Sequence, residues 1–286
     1  MFRITKKVQL TPLIFHMEVE AERVAKAAKP GQFLIVRATE NGERVPLTIC
    51  DIEPEKGLIS IVVQIVGVTT DKICRMNVGD AFLDVLGPLG QPSEIVRYTA
   101  EQLKEVRYLF IAGGVGTAPV FPEAEYLHKR GAKVDIVLGA RNKGLIILKD
   151  KLSAVCDNLY VCTDDGSEGF KGNVTAMLDK LMSEGKRYTH TVAIGPMIMM
   201  KFAALTAKKY DLPMVVSINT LMVDGTGMCG ACRIKVGDKT KFACVDGPEF
   251  DAHLVDFDEA LRRQRLYFSQ EQEADKKAGL DCCVKK

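Results

Sequence analysis

Three cysteines and one aspartate carry the strongest chemical signal in this chain. Asp224-Gly-Thr-Gly-Met-Cys229-Gly-Ala-Cys232 is followed, after eleven residues, by Cys244. Three thiols on a glycine-rich stretch can converge on a metal. The amides of Gly225, Gly227 and Gly230 can hydrogen-bond to cluster sulfurs and so tune a potential. A [2Fe–2S] cluster needs four protein ligands. Asp224 is the nearest candidate for the fourth, through a carboxylate oxygen. A structural zinc site stays open as an alternative, although zinc favours thiolate and imidazole ligands and no histidine lies within 224–244.

A second signal is Leu109-Phe110-Ile111-Ala112-Gly113-Gly114-Val115-Gly116-Thr117-Ala118-Pro119. An apolar strand runs into a glycine turn and then a helix, the arrangement that lets backbone amides meet a pyrophosphate. The G-x-G-x-x-G pattern is incomplete, because Pro119 takes its last position. Asp165 (in Asp164-Asp165-Gly166-Ser167) and Gly195-Pro196-Met197 follow two later strands of the same set, and Arg141 follows a third. Each alone reads as a plain turn. Together they suggest a dinucleotide crevice at the carboxyl edge of a parallel sheet.

Two further stretches suit a phosphate-bearing cofactor. Arg44 heads a strand with a fork of donors for a diphosphate. Thr48, four residues on, shares its face and could reach a flavin ring. In Gln64-Ile65-Val66-Gly67-Val68-Thr69-Thr70, Gly67 permits close approach, and Thr69 or Thr70 is expected to cap a helix whose N-terminus favours an anion. Without a ligand, these are an ordinary strand and an ordinary capped helix.

The elements that would position these residues fall into three blocks. Residues 1–100 carry short alternating runs broken by Pro30-Gly31, Asn41-Gly42, Lys56-Gly57 and Gly79-Asp80, as in a β-barrel or sandwich. Residues 101–212 alternate apolar strands (107–112, 133–139, 158–162, 190–194) with helical segments (117–130, 145–154, 172–183, 197–209), which implies βαβ units and a parallel sheet. Residues 213–286 hold the cysteine segment and a charged, partly helical stretch over 256–279.

Composition agrees with a multi-domain globular chain: 286 residues, 47% hydrophobic, 27% charged. A net charge of +2 gives no reason to expect nucleic acid or membrane as a partner. The N-terminus lacks the apolar core of a signal peptide, and the apolar stretch 108–121 is too interrupted to span a bilayer, so a cytoplasmic chain is expected. Cys50, Cys74, Cys156 and Cys162 read as small buried residues. The vicinal Cys282 and Cys283 read as an incidental pair on a polar tail. The four histidines are scattered and none is assigned to catalysis.

The order of blocks resembles the ferredoxin–NADP reductase superfamily. Within it the chain is similar to the iron–sulfur flavoprotein subunits that partner dihydroorotate dehydrogenase, and more so to the small subunits of NADH-dependent reduced ferredoxin:NADP oxidoreductases. The most specific stretch is VDGTGMCGACRIKVGDKTKFACVDGPEFD, residues 223–251. The resemblance implies an FAD-binding β-barrel, an NAD(P)-binding α/β domain and a small iron–sulfur segment. It implies FAD contacts from Arg44, Pro46, Leu47, Thr48, Val66, Gly67, Thr69 and Thr70. It implies NAD(H) contacts from Gly113, Gly114, Gly116, Thr117, Asp165, Gly195, Pro196 and Met197. It assigns [2Fe–2S] ligation to Asp224, Cys229, Cys232 and Cys244. The dihydroorotate-linked relatives use a fourth cysteine, which this segment lacks. The resemblance further implies a heterodimer with a larger NADP-binding flavin and iron–sulfur subunit, electron bifurcation, and ferredoxin as an indirect partner. A non-enzymatic redox-sensing module remains the alternative of another class.

Overall fold

The structure, a computed structural model, describes residues 2–280. Cys282 and Cys283 lie outside the described residues.

The first block is an antiparallel sheet curled on itself. Its elements are β1 (Phe2–Thr11), β2 (Ile14–Glu20), α1 (Glu22–Ala27), β3 (Phe33–Arg37), β4 (Val45–Glu53), β5 (Leu58–Gln64), α2 (Val68–Arg75), β6 (Ala81–Phe82) and β7 (Asp84–Leu89). The strand order is β6-β1-β2-β5-β4-β3-β7. The two edge strands are consecutive in the chain, separated only by Leu83, so the sheet must bend round to bring its ends together. Ile4, Met17, Leu34, Ile49, Ile59, Ile61 and Phe82 fill the interior. Helix α2 begins differently from the expectation. Gly67 is its cap residue. Thr70, one turn in, reaches back to accept from the Val66 and Gly67 amides at 2.9 and 3.2 Å. Thr69 instead donates to the Glu43 carboxylate.

The second block begins with α3 (Ala100–Glu105), β8 (Arg107–Gly113), α4 (Thr117–His128), β9 (Lys133–Ala140), α5 (Lys149–Ser153), β10 (Asn158–Thr163), β11 (Phe170–Lys171), α6 (Val174–Ser183), β12 (His190–Ile194) and α7 (Met197–Lys208). β8 is apolar along nearly its whole length because helices cover both of its faces. The helix expected over 145–154 is shorter, since Leu148 adopts φ +55 and only Lys149–Ser153 is α-helical.

The last block contains β13 (Val215–Ser217), β14 (Arg233–Val236), β15 (Lys239–Phe242), α8 (Ala243–Asp246), β16 (Glu249–Asp251), α9 (Phe257–Gln264) and α10 (Phe268–Lys277). β13 pairs parallel to β12, and β16 pairs antiparallel to β13. The large sheet therefore reads β11-β10-β9-β8-β12-β13-β16, and the cysteine-bearing segment completes it. β14 and β15 form a separate hairpin. Among the described residues, no helix is long and apolar enough to cross a membrane.

Candidate functional site

From β8 the chain winds outward to β9, β10 and β11, then returns to the other side of β8 as β12. The reversal between β8 and β12 is the topological switch point at which open α/β sheets leave a crevice. The two glycine turns meet there. A Cβ on Gly116 would lie 2.2 Å from the Ile194 carbonyl oxygen, so only glycine lets the turn pass the end of β12 this closely. A Cβ on Gly113 would meet the Met199 sulfur at 2.3 Å, and one on Gly195 would meet the Met199 Cε at 2.8 Å. Met199, which the sequence did not single out, thus packs between the two turns. Thr117 is buried and donates to the Gly114 carbonyl at 2.7 Å, which fixes the turn's exit into α4. Pro119 sits in the first turn of that helix, where an amide hydrogen is not needed.

Asp165 stands at the same edge, two strands from β8. Its carboxylate accepts from the Ser167 amide and hydroxyl at 2.9 and 2.6 Å. Those bonds, the hydroxyl's first, hold its carboxyl below the usual range. The Asp165 amide donates to the Arg141 carbonyl at 3.3 Å, so the loops after β9 and β10 are joined. The crevice thus has glycine amides and the α4 N-terminus at its floor and a fixed carboxylate to one side.

The crevice abuts the barrel. Val115, in the glycine turn, and Ala118 pack with Ile14, Cys50 and Val62 of β2, β4 and β5. In β4, Pro46, Leu47 and Thr48 are half-buried and pair with Ile35, Leu34 and Phe33 of β3. Arg44 precedes β4. Val66 is exposed, and the space where Gly67 would carry a Cβ is open except for the Asp275 carboxylate of α10 at 3.4 Å. A diphosphate approaching the start of α2 would find the dipole of the Val68–Arg75 helix, where Thr69 is tied to Glu43, the residue before Arg44.

The cysteine segment lies on another part of the barrel. Gly225 has φ +79, and a Cβ there would meet Leu89 and Ile35 at 2.7 and 2.8 Å, so the loop rests directly on β7 and β3. Cys232 and Cys244 are buried with their sulfurs 3.2 Å apart. That is well beyond a disulfide of ~2.05 Å. It is short enough for both to bond one metal ion at ~2.3 Å. Burial, and next the Cys232 sulfur, push the Cys244 thiol up to about 12, while the Gly227 amide donates toward it. A coordinated cation reverses that balance and keeps the thiolate. Cys229 is exposed. Asp224 lies beside it and accepts from the Thr226 and Cys229 amides, each at 2.7 Å. These bonds, the Thr226 amide's first, keep its carboxyl ionised below the usual range. Two amide bonds leave a carboxylate further lone pairs for a metal. The donor set suits an iron–sulfur cluster. Cys232 and Cys244 already converge, whereas among the described residues no three of the acidic, thiol or imidazole groups form a closed metal cage.

Two buried carboxylates escaped the sequence reading. Glu123, in α4, and Glu249, in β16, face each other with Ser93, whose hydroxyl donates to Glu123 at 3.3 Å. Oε1 of Glu249 is buried without a hydrogen-bond partner. The only signal for Glu123 was an acid among apolar neighbours in Thr117–His128. His16 is also buried, with Nε2 unpartnered. Cys50, Cys74 and Cys162 are buried as expected, and Cys156 is half-buried.

Residues 219–256 match the iron–sulfur cluster binding domain of dihydroorotate dehydrogenase B, and residues 110–204 match the oxidoreductase NAD-binding domain. The chain is 47% identical over 268 residues to the dihydroorotate dehydrogenase B (NAD(+)) electron transfer subunit homolog of Thermotoga maritima, covering 94% of this chain and 92% of that one. It superposes on a chain from the structure of NADH-dependent reduced ferredoxin-NADP oxidoreductase, reported for flavin-based electron bifurcation. That match has a TM-score of 0.89 and 44% identity, and covers 97% of each chain. The cytochrome b5 reductase domain of Ulva prolifera nitrate reductase, at 18% identity and a TM-score of 0.59, covers 74% of this chain and 92% of its own and shares the fold.

Proposed function

The chain belongs to the family of dihydroorotate dehydrogenase B electron transfer subunits, and on that premise we propose that it is the NAD(H)-linked flavoprotein subunit of an electron-bifurcating ferredoxin:NADP oxidoreductase. Its cofactors are FAD, an iron–sulfur cluster of the [2Fe–2S] type and NAD(H). Its three parts correspond to 1–100 for flavin, 101–212 for nucleotide and 213–286 for the cluster. One observation carries the reading. The barrel is touched at β2, β4 and β5 by the nucleotide turn and at β3 and β7 by the cysteine loop, so a flavin on the barrel would lie between the two.

The residues then divide the work. Gly113, Gly114, Gly116 and Thr117 present amides and the α4 N-terminus to the pyrophosphate. Asp165 and the Gly195-Pro196-Met197 turn bound the crevice on either side. Arg44, Pro46, Leu47 and Thr48 line the flavin site, with Val66, Gly67, Thr69 and Thr70 at its phosphate end. Asp224, Cys229, Cys232 and Cys244 hold the cluster. The flavin supplies the change from two-electron to one-electron transfer, and the cluster carries single electrons. No side chain is needed as a general acid or base for direct hydride transfer.

In the same reading the chain works in the cytoplasm. It pairs with a larger NADP-binding flavin and iron–sulfur subunit, through which electrons reach ferredoxin. The names of the curated relatives favour a second reading, delivery of electrons to a dihydroorotate-oxidising subunit. Co-purification separates the two. The test of the core proposal is the visible spectrum of the purified chain, with flavin and iron quantified, before and after NADH. Bound flavin and iron, and bleaching on NADH addition, are expected. Reconstituted protein without iron, or a spectrum indifferent to NADH, refutes it.

A further inference from the structure

Arg44 does more than face the flavin site. Its Nε donates to the Val223 carbonyl at 2.8 Å and its Nη2 to the Asp224 carbonyl at 3.5 Å, while Nη1 meets Asp84 at 3.4 Å. The two carbonyls lie 179 and 180 residues down the chain, on the loop that carries the proposed cluster ligands. A guanidinium has five N–H groups. Three are used here, which leaves two for a diphosphate.

The loop needs such a hold. Met228 is 89% exposed and Cys229 is exposed, so little apolar burial anchors this stretch. A close seat on the barrel is Gly225 against Ile35 and Leu89. From Asp224 the order continues through its own carboxylate, which fixes the amides of Thr226 and Cys229. Arg44 therefore holds the backbone at one end of Asp224, and the Asp224 side chain holds the backbone of a proposed ligand at the other.

We propose that Arg44 is a positioning residue that ties the Asp224–Cys229 loop to the flavin barrel, so that one guanidinium sets both the flavin phosphates and the place of the cluster ligands. The flavin half rests on the function proposed above; the loop half does not. Two substitutions separate them. Arg44→Met removes every donor, and Arg44→Lys keeps the charge but cannot fork between two carbonyls and Asp84. In the full chain as purified, amide hydrogen exchange at Thr226 and Cys229 should quicken about tenfold in both variants, the loss of a charge-assisted bond. Flavin retention should fall in Arg44→Met and largely persist in Arg44→Lys. In cluster-loaded protein, the half-life of the cluster absorbance under an iron chelator should shorten several-fold in both. Gly225→Ala, which lifts the loop off Ile35 and Leu89 and leaves the Arg44 side chain intact, should shorten it too. Unchanged exchange at Thr226 and Cys229 in both Arg44 variants overturns the proposal. A parent chain that binds no iron would refute the function alone, because the exchange measurement does not depend on the cluster.

Discussion

Replacing Glu249 by glutamine should make the protein more stable at neutral and alkaline pH. Glu249 and Glu123 are packed together with Ser93 at the joint where the barrel, the nucleotide sheet and β16 meet. Burial raises the Glu249 carboxyl to about 6 from an ordinary 4.5, and burial and then Glu249 raise Glu123 well above 4.5. Glu94 adds a further like charge facing the pair. The folded state therefore holds protons that the unfolded chain releases. Stability from Glu249 is complete below pH 4.5 and is lost as pH rises through about 6. At 1.36 kcal/mol per pH unit, this shift is worth about 2 kcal/mol. Glutamine keeps the shape and hydrogen-bonding capacity and removes the charge. Denaturant melts of parent and Glu249→Gln across the acid-to-neutral range should coincide below pH 4.5, separate between pH 4.5 and about 6, and stay apart above that, the variant about 2 kcal/mol more stable. Curves that stay parallel through that range would refute the argument.

Three further outcomes follow from the site. Gly116→Ala places a methyl against the Ile194 carbonyl; it should cost about 1–3 kcal/mol of stability and weaken NADH binding, read by melting and by titration. Cys244→Ser should abolish iron binding measured by metal analysis, while NADH still bleaches the flavin, since the nucleotide crevice contacts the barrel independently of the cysteine loop. Thr70→Val leaves the Val66 and Gly67 amides without their acceptor; it should cost about 1–3 kcal/mol and loosen flavin, seen as free FAD on gel filtration.

The parts of this fold written in local pattern were legible in the sequence. The apolar runs at 107–112, 133–139, 158–162 and 190–194 became β8, β9, β10 and β12, because the strands of a sheet covered by helices on both faces are mostly apolar. The glycine turn at 113–117 was legible for the same local reason. The unread features depend on distant partners. β13 and β16 have three residues each and exist only through pairing with a neighbour. Arg44 finds its carbonyls far along the chain, and Glu123 meets Glu249 only after β16 folds back. The shortened α5 turns on a single backbone angle at Leu148, which no periodicity announces.

The closing of the sheet by β13 and β16 bears on how this chain can be cut and recombined. Truncation after Leu212 would strip both strands from β12 and leave its peptide groups bare along a long apolar flank, an invitation to aggregation. The thiol-bearing stretch is thus no cassette. Grafting it onto another reductase would require a host whose own sheet ends where β12 does, with room for two more strands.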